Sequence, residues 1–320
     1  MKLKRFYTFI NSDLDIIEKA LEETIQAEHP VLKEASMHLL QAGGKRIRPV
    51  FVLLSAKFGN YDINKIKNAA VALELIHTAS LVHDDVIDNA ELRRGAPTIK
   101  AKWDNRIAMY TGDYIFARAV ELMTEIDKPE AHRVLSKTMV ELCVGEIEQI
   151  KDKYDWNQNL RTYLRRIKRK TAILIAVSCQ LGAIVSEAPV NIQRELTRFG
   201  YYVGMAFQIT DDILDFTGTE KELGKPAGSD LQQGNITLPV LYALRNESLR
   251  KEIINTFNMN DEQSMKHTIS LVKNSGGIEY SKEISDRYLK KAHDIIKELP
   301  NCKEKTALLN IAKYIGKRKF

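Results

Sequence analysis

Apolar residues recur every three or four positions along most of this chain, which is the spacing of residues on one face of an α-helix. No proline occurs between Pro129 and Pro189 or between Pro239 and Pro300, so long helices can run through both intervals. The sequence has no run of alternating β-branched residues bounded by hairpin turns. The pattern predicts an all-α fold, with helices over about residues 10–27, 30–42, 46–58, 62–89, 103–125, 129–151, 158–186, 190–216, 236–245, 248–257, 261–273, 276–298 and 303–317.

The breaks between these helices contain glycine pairs and other turn-forming residues, as at Gly43-Gly44 and Gly276-Gly277. No Ser/Gly-rich or Pro-rich linker interrupts the chain, so a single domain over residues 1–320 is the simpler organisation. One segment, between Asp215 and Pro239, contains four glycines and one proline. We predict a mobile lid over a binding site there, and an irregular surface loop is the alternative.

Two short segments repeat one acidic pattern inside apolar surroundings, 127 positions apart. On a helix, residues four apart lie on one face with Cβ atoms roughly 5–6 Å from each other, so Asp84 pairs with Asp88 and Asp211 with Asp215. Two ionised carboxylates at that separation repel by about 1 kcal/mol in water and by more near a protein surface. A single copy is often only a solvated acidic face, but two copies in apolar runs predict divalent metal sites.

Carboxylate oxygens favour Mg²⁺, Mn²⁺ or Ca²⁺, and Mg²⁺ typically takes one or two carboxylates together with substrate phosphates. If a metal bridges phosphate to these aspartates, other cations should cover the remaining phosphate oxygens. Any one of these bases could be an ordinary exposed residue, but together with two acidic pairs they predict a phosphate site. The candidates stand at loops and helix ends: Lys45, Arg48, Arg93, Arg94, Lys170 and Lys225.

Composition narrows the class of protein further. The 48 Lys and Arg exceed the 42 Asp and Glu by +6, but no basic stripe with interleaved aromatic residues predicts nucleic-acid binding. We predict that the basic stretch Lys317-Arg318-Lys319 is a solvated tail. The three cysteines lack a C-x-x-C spacing, which fits a cytoplasmic location without disulfides or a zinc site. The apolar segment 172–185 is too short to cross a bilayer and predicts a buried core helix.

The sequence resembles the trans-type polyprenyl diphosphate synthases over nearly its whole length. The resemblance rests on motifs in the family's order and spacing: Gly44-Lys45-Arg46-Ile47-Arg48-Pro49, Asp84-Asp85-Val86-Ile87-Asp88, Arg93-Arg94-Gly95, Lys170-Thr171 and Phe207-Gln208-Ile209-Thr210-Asp211-Asp212-Ile213-Leu214-Asp215. It implies a helical bundle of the class I isoprenoid synthase type around a central cavity, with the two aspartate motifs facing each other near its mouth. It also implies three Mg²⁺ ions that bind an allylic diphosphate.

The resemblance implies a role for each matching residue. Those for isopentenyl diphosphate are Lys45, Arg48, His77 and Arg94, although His77 could equally be a core histidine. Those for the allylic diphosphate are Arg93, Lys170, Thr171, Gln208 and Lys225. The implied catalytic residues are Asp84, Asp85, Asp88, Asp211, Asp212, Asp215 and Lys170, with Asp84, Asp88, Asp211 and Asp215 as metal ligands.

One position departs from the family pattern. Asn235 stands where a lysine for the allylic diphosphate is common, so Lys225 would carry that role alone or a partner subunit would help. The nearest resemblance is to the large catalytic subunit of two-component heptaprenyl diphosphate synthases. It implies extension of an allylic primer, farnesyl diphosphate, to heptaprenyl diphosphate for a quinone side chain such as that of menaquinone. It also implies a homodimer or a heterodimer with a small regulatory subunit, and transient membrane contact during product release.

Other functions remain open at this level. A short-chain farnesyl or geranylgeranyl diphosphate synthase is one alternative. A non-catalytic regulatory subunit is another, although such subunits lose aspartates and this chain keeps all six. A terpene cyclase or head-to-head synthase usually lacks the second strict D-D-x-x-D motif or the paired Arg93-Arg94.

Product length can be read from the helix that carries the first motif. Ser80 and Ala79 lie one turn before Asp84, and Ile76 lies a second turn before it, each turn adding about 5.4 Å of depth. Short-chain members of the family place bulky aromatic residues near there to close the cavity. Small residues here therefore predict a product longer than about fifteen carbons, and close helix packing is the alternative.

We expect Ala79→Phe to shorten the main product by at least one isoprene unit, because the ring would fill about one helical turn of cavity depth. Chromatographic sizing of the dephosphorylated products measures this. Ala79→Val, which adds less volume, should shorten the product less. An unchanged product together with a lower Tm would show that Ala79 serves helix packing instead.

Overall fold

The computed structural model describes residues 3–44, 46–219, 226–259 and 261–318. Its contacts divide the chain into two compact units, each of which is described by itself. The first unit comprises Met1–Met139, Leu174–Gly200 and Ile296–Asn310; the second comprises Val140–Ile173, Tyr201–Ile295 and Ile311–Phe320. The single domain over residues 1–320 stays a prediction.

Most of the described residues are helical and very few are in strands, as predicted. The helices are α1 (Asn11–Thr24), α2 (Pro30–Gln41), α3 (Ile47–Ala56), α4 (Ile63–Ile87), α5 (Ile99–Lys102), α6 (Asn105–Thr124), α7 (Pro129–Asp152), α8 (Leu160–Ile167), α9 (Ile173–Val185), α10 (Val190–Thr217), α11 (Ser229–Gln232), α12 (Leu238–Ala243), α13 (Glu247–Asn258), α14 (Glu262–Asn274), α15 (Gly277–Glu298) and α16 (Lys303–Gly316). Two short 3-10 helices, Leu3–Phe6 and Thr8–Ile10, precede α1. No helix within the described residues combines the length and the apolar character that crossing a bilayer requires.

Helix α4 forms the core of the first unit. Asp62 caps its N-terminus by accepting a hydrogen bond from the backbone N–H of Asn64. All residues from Ala69 to Ile76 are buried, which is typical of a helix with neighbours on every side. The helix ends at Ile87, so the first acidic motif occupies its C-terminal turn.

Helix α10 places the second acidic motif in the same way. It runs for 28 residues and ends at Thr217, two residues after Asp215. The C-terminus of a helix carries a partial negative charge, which opposes carboxylates and attracts cations. Both acidic motifs therefore lie where the backbone adds to the negative charge of the side chains.

A short antiparallel hairpin after α4 was not predicted. Strands β1 (Leu92–Arg93) and β2 (Ala96–Pro97) pair with Arg93 opposite Ala96. The turn needs positive φ at both central residues, and Arg94 (φ 55°) and Gly95 (φ 80°) supply it. A non-glycine residue in this region is uncommon, so the turn fixes Arg94 at an energetic cost.

The predicted helix over 158–186 is interrupted by one wide π-helical turn, Lys168–Ala172, between α8 and α9. Such turns commonly occur at functional sites because they redirect side chains within a helix. Gly204 of α10 lets the two backbones approach, since a Cβ at Gly204 would lie 2.6 Å from the Cα of Ala172. The wide turn presents Lys170 and Thr171.

The predicted lid is described only in part, because residues 220–225 lie outside the described residues. On its C-terminal side the chain forms α11, which the sequence did not predict. Leu231 and Ile236 are fully buried in an apolar cluster with Phe216. This side of the segment is therefore anchored, and the lid itself stays a prediction.

Candidate active site

The first acidic motif contains one buried carboxylate and two half-buried ones. Asp85 is buried and accepts hydrogen bonds on Oδ1 from Nε of Arg93 at 2.7 Å and from its Nη2 at 2.6 Å. Burial raises the pKa of Asp85, and Arg93 partly offsets that effect. Asp84 and Asp88 are half-buried and lie one turn apart. Asp85 therefore holds Arg93, whereas Asp84 and Asp88 are the two carboxylates whose spacing suits a divalent metal.

Positive charge is concentrated beside this motif in the same unit. Burial lowers the pKa of Arg48 to about 10, and the nearby Arg94 contributes. Burial and the charge of Arg46 lower the pKa of Arg94. Burial and the neighbouring arginines, Arg48 foremost, hold the pKa of His77 well below its usual value. His77 is therefore neutral near pH 7 and can donate a hydrogen bond without adding a further charge.

Arg48 and Arg94 form what we call the guanidinium cluster, and Arg46 lies next to it. Arg46 donates to Glu18 through Nε at 2.6 Å and to the buried Glu74 through Nη1 at 3.4 Å. Its backbone is left-handed (φ 46°) where α3 begins. Sequence reasoning assigned no role to Arg46 or Glu74, although an acid within the apolar run of α4 was a visible signal.

Arg48 provides the clearest mark of an anion site. Its Nε is buried and makes no hydrogen bond within the described residues. A buried guanidinium donor without an acceptor is rare in proteins and needs an explanation, for which a bound water or anion is one candidate. Gly44 allows the cluster to form, since a Cβ there would lie 2.8 Å from Nη1 of Arg94. Lys45, the other predicted base of this motif, lies outside the described residues.

The second acidic motif has a different support. Asp212 is buried and accepts hydrogen bonds from the Tyr163 hydroxyl at 2.6 Å and from Nε2 of Gln208 at 2.8 Å. Burial and the charge of Asp230 raise the pKa of Asp212 to about 7. Asp215 is buried and accepts from the backbone N–H of Asp230 at 3.2 Å. Neutral donors here replace the arginine that holds Asp85.

The predicted allylic diphosphate residues of the second unit form a connected group. The Thr171 hydroxyl donates to Oε1 of Gln208 at 2.5 Å, and Gln208 in turn donates to Asp212. Lys170 donates to the neutral Gln149 at 2.7 Å and has no carboxylate partner within the described residues. Its charge is therefore available to an anion. Lys225 lies outside the described residues.

The prediction of a solvated tail is wrong for Arg318. Its Nη1 donates to Oδ1 of Asp211 at 2.6 Å. Its guanidinium carbon lies 5.2 Å from the centroid of the Phe207 ring. Phe207 and Asp211 are one turn apart on α10, so a single face of that helix receives the arginine. The sequence could not reveal this contact, which joins residues 107 positions apart.

The donor set fits divalent metal ions that a ligand helps to hold. Within the described residues, no three His, Cys, Asp or Glu side chains gather closely enough to bind a metal alone. Each motif instead offers oxygen ligands from Asp84 and Asp88 or from Asp211 and Asp215, at the negative end of a helix. Mg²⁺ suits such sites because it completes its shell with water and phosphate oxygens. The number of ions and the facing arrangement of the motifs stay predictions.

The predicted chain-length residues lie on α4. Ala79 and Ile76 are fully buried, and the half-buried Ser80 donates its hydroxyl to the carbonyl of His77 at 2.8 Å.

Asn235, at the position where the family commonly has lysine, donates its backbone N–H to the carbonyl of Asp230. The chain-length role of the α4 residues and the effect of Asn235 on allylic diphosphate binding both stay predictions.

Comparisons with family models, with curated proteins and with solved structures all identify the family that the sequence motifs indicated. Residues 29–274 match the polyprenyl synthetase family model. Heptaprenyl diphosphate synthase component 2 of Bacillus subtilis (strain 168) is 63% identical over 320 residues, which cover 100% of this chain and 92% of that protein.

Two solved structures extend this similarity to the fold. The heptaprenyl diphosphate synthase of Staphylococcus aureus has a TM-score of 0.92 at 43% identity, covering 97% of this chain and 98% of that one. The polyprenyl synthase of Caulobacter crescentus, complexed with calcium and isoprenyl diphosphate, has a TM-score of 0.93 at 30% identity, covering 99% and 98%.

We expect Tyr163→Phe to lower the free energy of unfolding by about 1.5–3 kcal/mol, because a buried carboxylate loses one of its donors. Urea unfolding at pH 8 measures this. Tyr114→Phe is the matched control: its hydroxyl donates at 2.7 Å to the neutral carbonyl of Gln26 at an exposed site. That loss should stay below about 1 kcal/mol. Equal losses in the two variants would contradict the support proposed for Asp212.

Proposed function

Because the chain belongs to the polyprenyl synthetase family, we propose that it is the catalytic subunit of a synthase that makes heptaprenyl diphosphate, for a quinone side chain such as that of menaquinone. It adds isopentenyl diphosphate units to an allylic diphosphate, for which farnesyl diphosphate is the proposed primer. The observation that carries this proposal is the contact between Arg93 and Asp85. It holds a guanidinium suited to diphosphate directly against an acidic motif suited to a divalent metal.

The guanidinium cluster binds isopentenyl diphosphate in this proposal. Burial depresses the pKa values of Arg48 and Arg94, and a neighbouring arginine adds to the effect in each case, Arg94 for Arg48 and Arg46 for Arg94; the negative charge of a diphosphate would offset both causes. The unpaired Nε of Arg48 gains an acceptor. His77 adds a neutral donor, and Lys45 adds a charge. All four then hold the nucleophilic substrate by its diphosphate and leave its double bond for the reaction.

The allylic substrate loses its diphosphate when the allylic carbon–oxygen bond breaks and the electron pair leaves with oxygen. Arg93 and Lys170 are the cations to which the family resemblance assigns the negative charge that grows on the departing group. When bound, Mg²⁺ supplies further Lewis-acid stabilisation of that charge. The isopentenyl double bond then forms the new carbon–carbon bond, and the proton lost from the adjacent carbon passes to the released diphosphate. No side-chain base is therefore needed.

The middle acids of the two motifs position their neighbours. Asp85 fixes two nitrogens of Arg93, whose Nη1 makes no hydrogen bond within the described residues and is left for the substrate. Asp212 fixes Gln208, which in turn orders Thr171. Asp84, Asp88, Asp211 and Asp215 are then the metal ligands. Gly228 donates its backbone N–H to the carbonyl of Asp215 at 2.8 Å, which ties the described part of this glycine-rich segment to the second motif.

A row of exposed apolar side chains on α7, which we call the α7 stripe, suggests how the subunit assembles. It consists of Val140, Val144, Ile147 and Ile150, continued by Tyr154 just after the helix, all within the second unit. Ile147 is 68% exposed. Spacings of three and four place these residues on one helix face. Isolated exposed apolar residues are ordinary, whereas a contiguous row typically marks a protein interface.

We assign the α7 stripe to an unlike subunit. The argument rests on the B. subtilis relative, which is called component 2 and is similar over its whole matched length, so its name implies a second component. An unlike subunit would also compensate for the lysine that Asn235 replaces. A second copy of this chain is the competing occupant.

We expect Asp84→Ala and Asp211→Ala each to lower turnover by about 10²–10³-fold or more, because charge on the leaving diphosphate loses metal stabilisation. The assay combines purified protein, radiolabelled isopentenyl diphosphate, farnesyl diphosphate and Mg²⁺, with and without the unlike subunit, and sizes the products. Asp15→Ala, at an exposed site on α1, is the matched control and should retain activity. EDTA should abolish activity. Full turnover in both aspartate variants would refute the site.

We expect Ile147→Glu to weaken binding of the unlike subunit by at least tenfold, because a buried, unpaired charge at an apolar interface costs more than 1.4 kcal/mol. Sedimentation velocity of the mixture and of this chain alone measures it. Val190→Glu is the control, since Val190 is equally exposed (72%) but lies outside the stripe. Dissociation of a homodimer by Ile147→Glu, with no effect on the unlike subunit, would assign the stripe to a second copy instead.

A further inference from the structure

The contact between Arg318 and Asp211 is sheltered from solvent. The side chain of Arg318 is 16% exposed and that of Asp211 is 33% exposed. The guanidinium also covers the Phe207 ring. A charge-assisted hydrogen bond of 2.6 Å that is partly removed from water is stronger than an exposed surface ion pair. Arg318 is thus held in place rather than resting on the surface.

Arg318 contacts Asp211, which is one of the proposed metal ligands. Asp211 is the first acid of the second motif, near the C-terminal end of α10, where the helix attracts cations. Arg318 occupies Oδ1 of Asp211, which is an oxygen that a metal would use. Two cations on one carboxylate oxygen repel each other, so a divalent ion and Arg318 compete for this atom.

Building on the proposed function, we propose that Arg318 is the resident counter-ion of Asp211 in the metal-free enzyme and that divalent metal must displace it. Arg318 then raises the metal concentration needed to load the second motif. Its displacement releases Lys317 and Arg318, which follow α16 and which we call the C-terminal arm. Metal loading is thereby coupled to the position of the C-terminal arm.

The arm itself provides a matched control. Lys317 carries the same charge as Arg318 and directly precedes it. Within the described residues only its backbone N–H makes hydrogen bonds, to the carbonyls of Lys313 and Tyr314. Lys317→Ala therefore removes one positive charge from the arm and leaves the contact with Asp211 intact. Any difference between Lys317→Ala and Arg318→Ala reports the contact rather than net charge.

The test measures metal binding without substrate and again with inorganic diphosphate, with Mn²⁺ as the probe and free Mn²⁺ counted by electron paramagnetic resonance against a protein-free control. We expect Arg318→Ala to lower the Kd for Mn²⁺ by about tenfold or more, since losing one such competing contact is worth about one charge-assisted hydrogen bond. Arg318→Lys should bind with intermediate affinity. Lys317→Ala should change the Kd by less than about twofold at 0.15 M salt, where exposed charges are screened.

A second readout follows the arm directly by hydrogen–deuterium exchange of a peptide covering residues 311–318. Saturating Mn²⁺ should speed exchange in the wild type, and Asp211→Asn should show the faster exchange without metal. If Mn²⁺ binds the wild type and Arg318→Ala equally and leaves exchange unchanged, the counter-ion role of Arg318 is refuted and the proposed function stands. If the wild type binds no Mn²⁺ even with inorganic diphosphate, both are refuted.

Discussion

Carboxylates at the C-terminal ends of two long helices are the constraint on which the rest of this structure depends. Side-chain charge and backbone dipoles have the same sign at the ends of α4 and α10, so each motif is stable only if positive charge or hydrogen-bond donors reach it. The molecule meets that need differently in its two units. Arg93 neutralises Asp85, whereas the neutral donors Tyr163 and Gln208 hold Asp212. The first and last aspartates of each motif, four positions apart, have the spacing that suits a divalent ion.

The basic residues show the complementary excess. Arg46 is neutralised by Glu18 and Glu74, but burial, together with a neighbouring arginine, lowers the pKa values of Arg48 and Arg94. A protein gains no stability from such an arrangement, and the left-handed backbone at Arg94 adds to its cost. The strain is reasonable if an anion with several oxygens binds there. In the proposed function, diphosphate would bring negative charge to these arginines and a divalent metal would bring positive charge to the aspartates.

Much of the fold followed from apolar periodicity, since long amphipathic or wholly buried helices leave a strong three-to-four repeat. The features it missed are local exceptions to that repeat. The hairpin at Arg93 and Arg94 depends on two residues with positive φ. The π turn at Lys170 contains one residue more than an ordinary helical turn, but its residue types are those of an ordinary helix. The short helix α11 lies in a glycine-rich segment, where tertiary burial of Leu231 outweighs weak helix propensity.

The sequence by itself determined the acidic and basic motifs, their order and the helices that carry them, because these depend on residue type and on spacings of three to five positions. Only the tertiary structure decided which carboxylates are buried and which partners hold them. Burial distinguishes Asp85 and Asp212 from their neighbours, and the partners of Asp212 and Asp211 come from Tyr163 and Arg318, 49 and 107 positions away. A hydrogen bond acts over about 3 Å of space whatever the separation in sequence, so such partners appear only once the chain is folded.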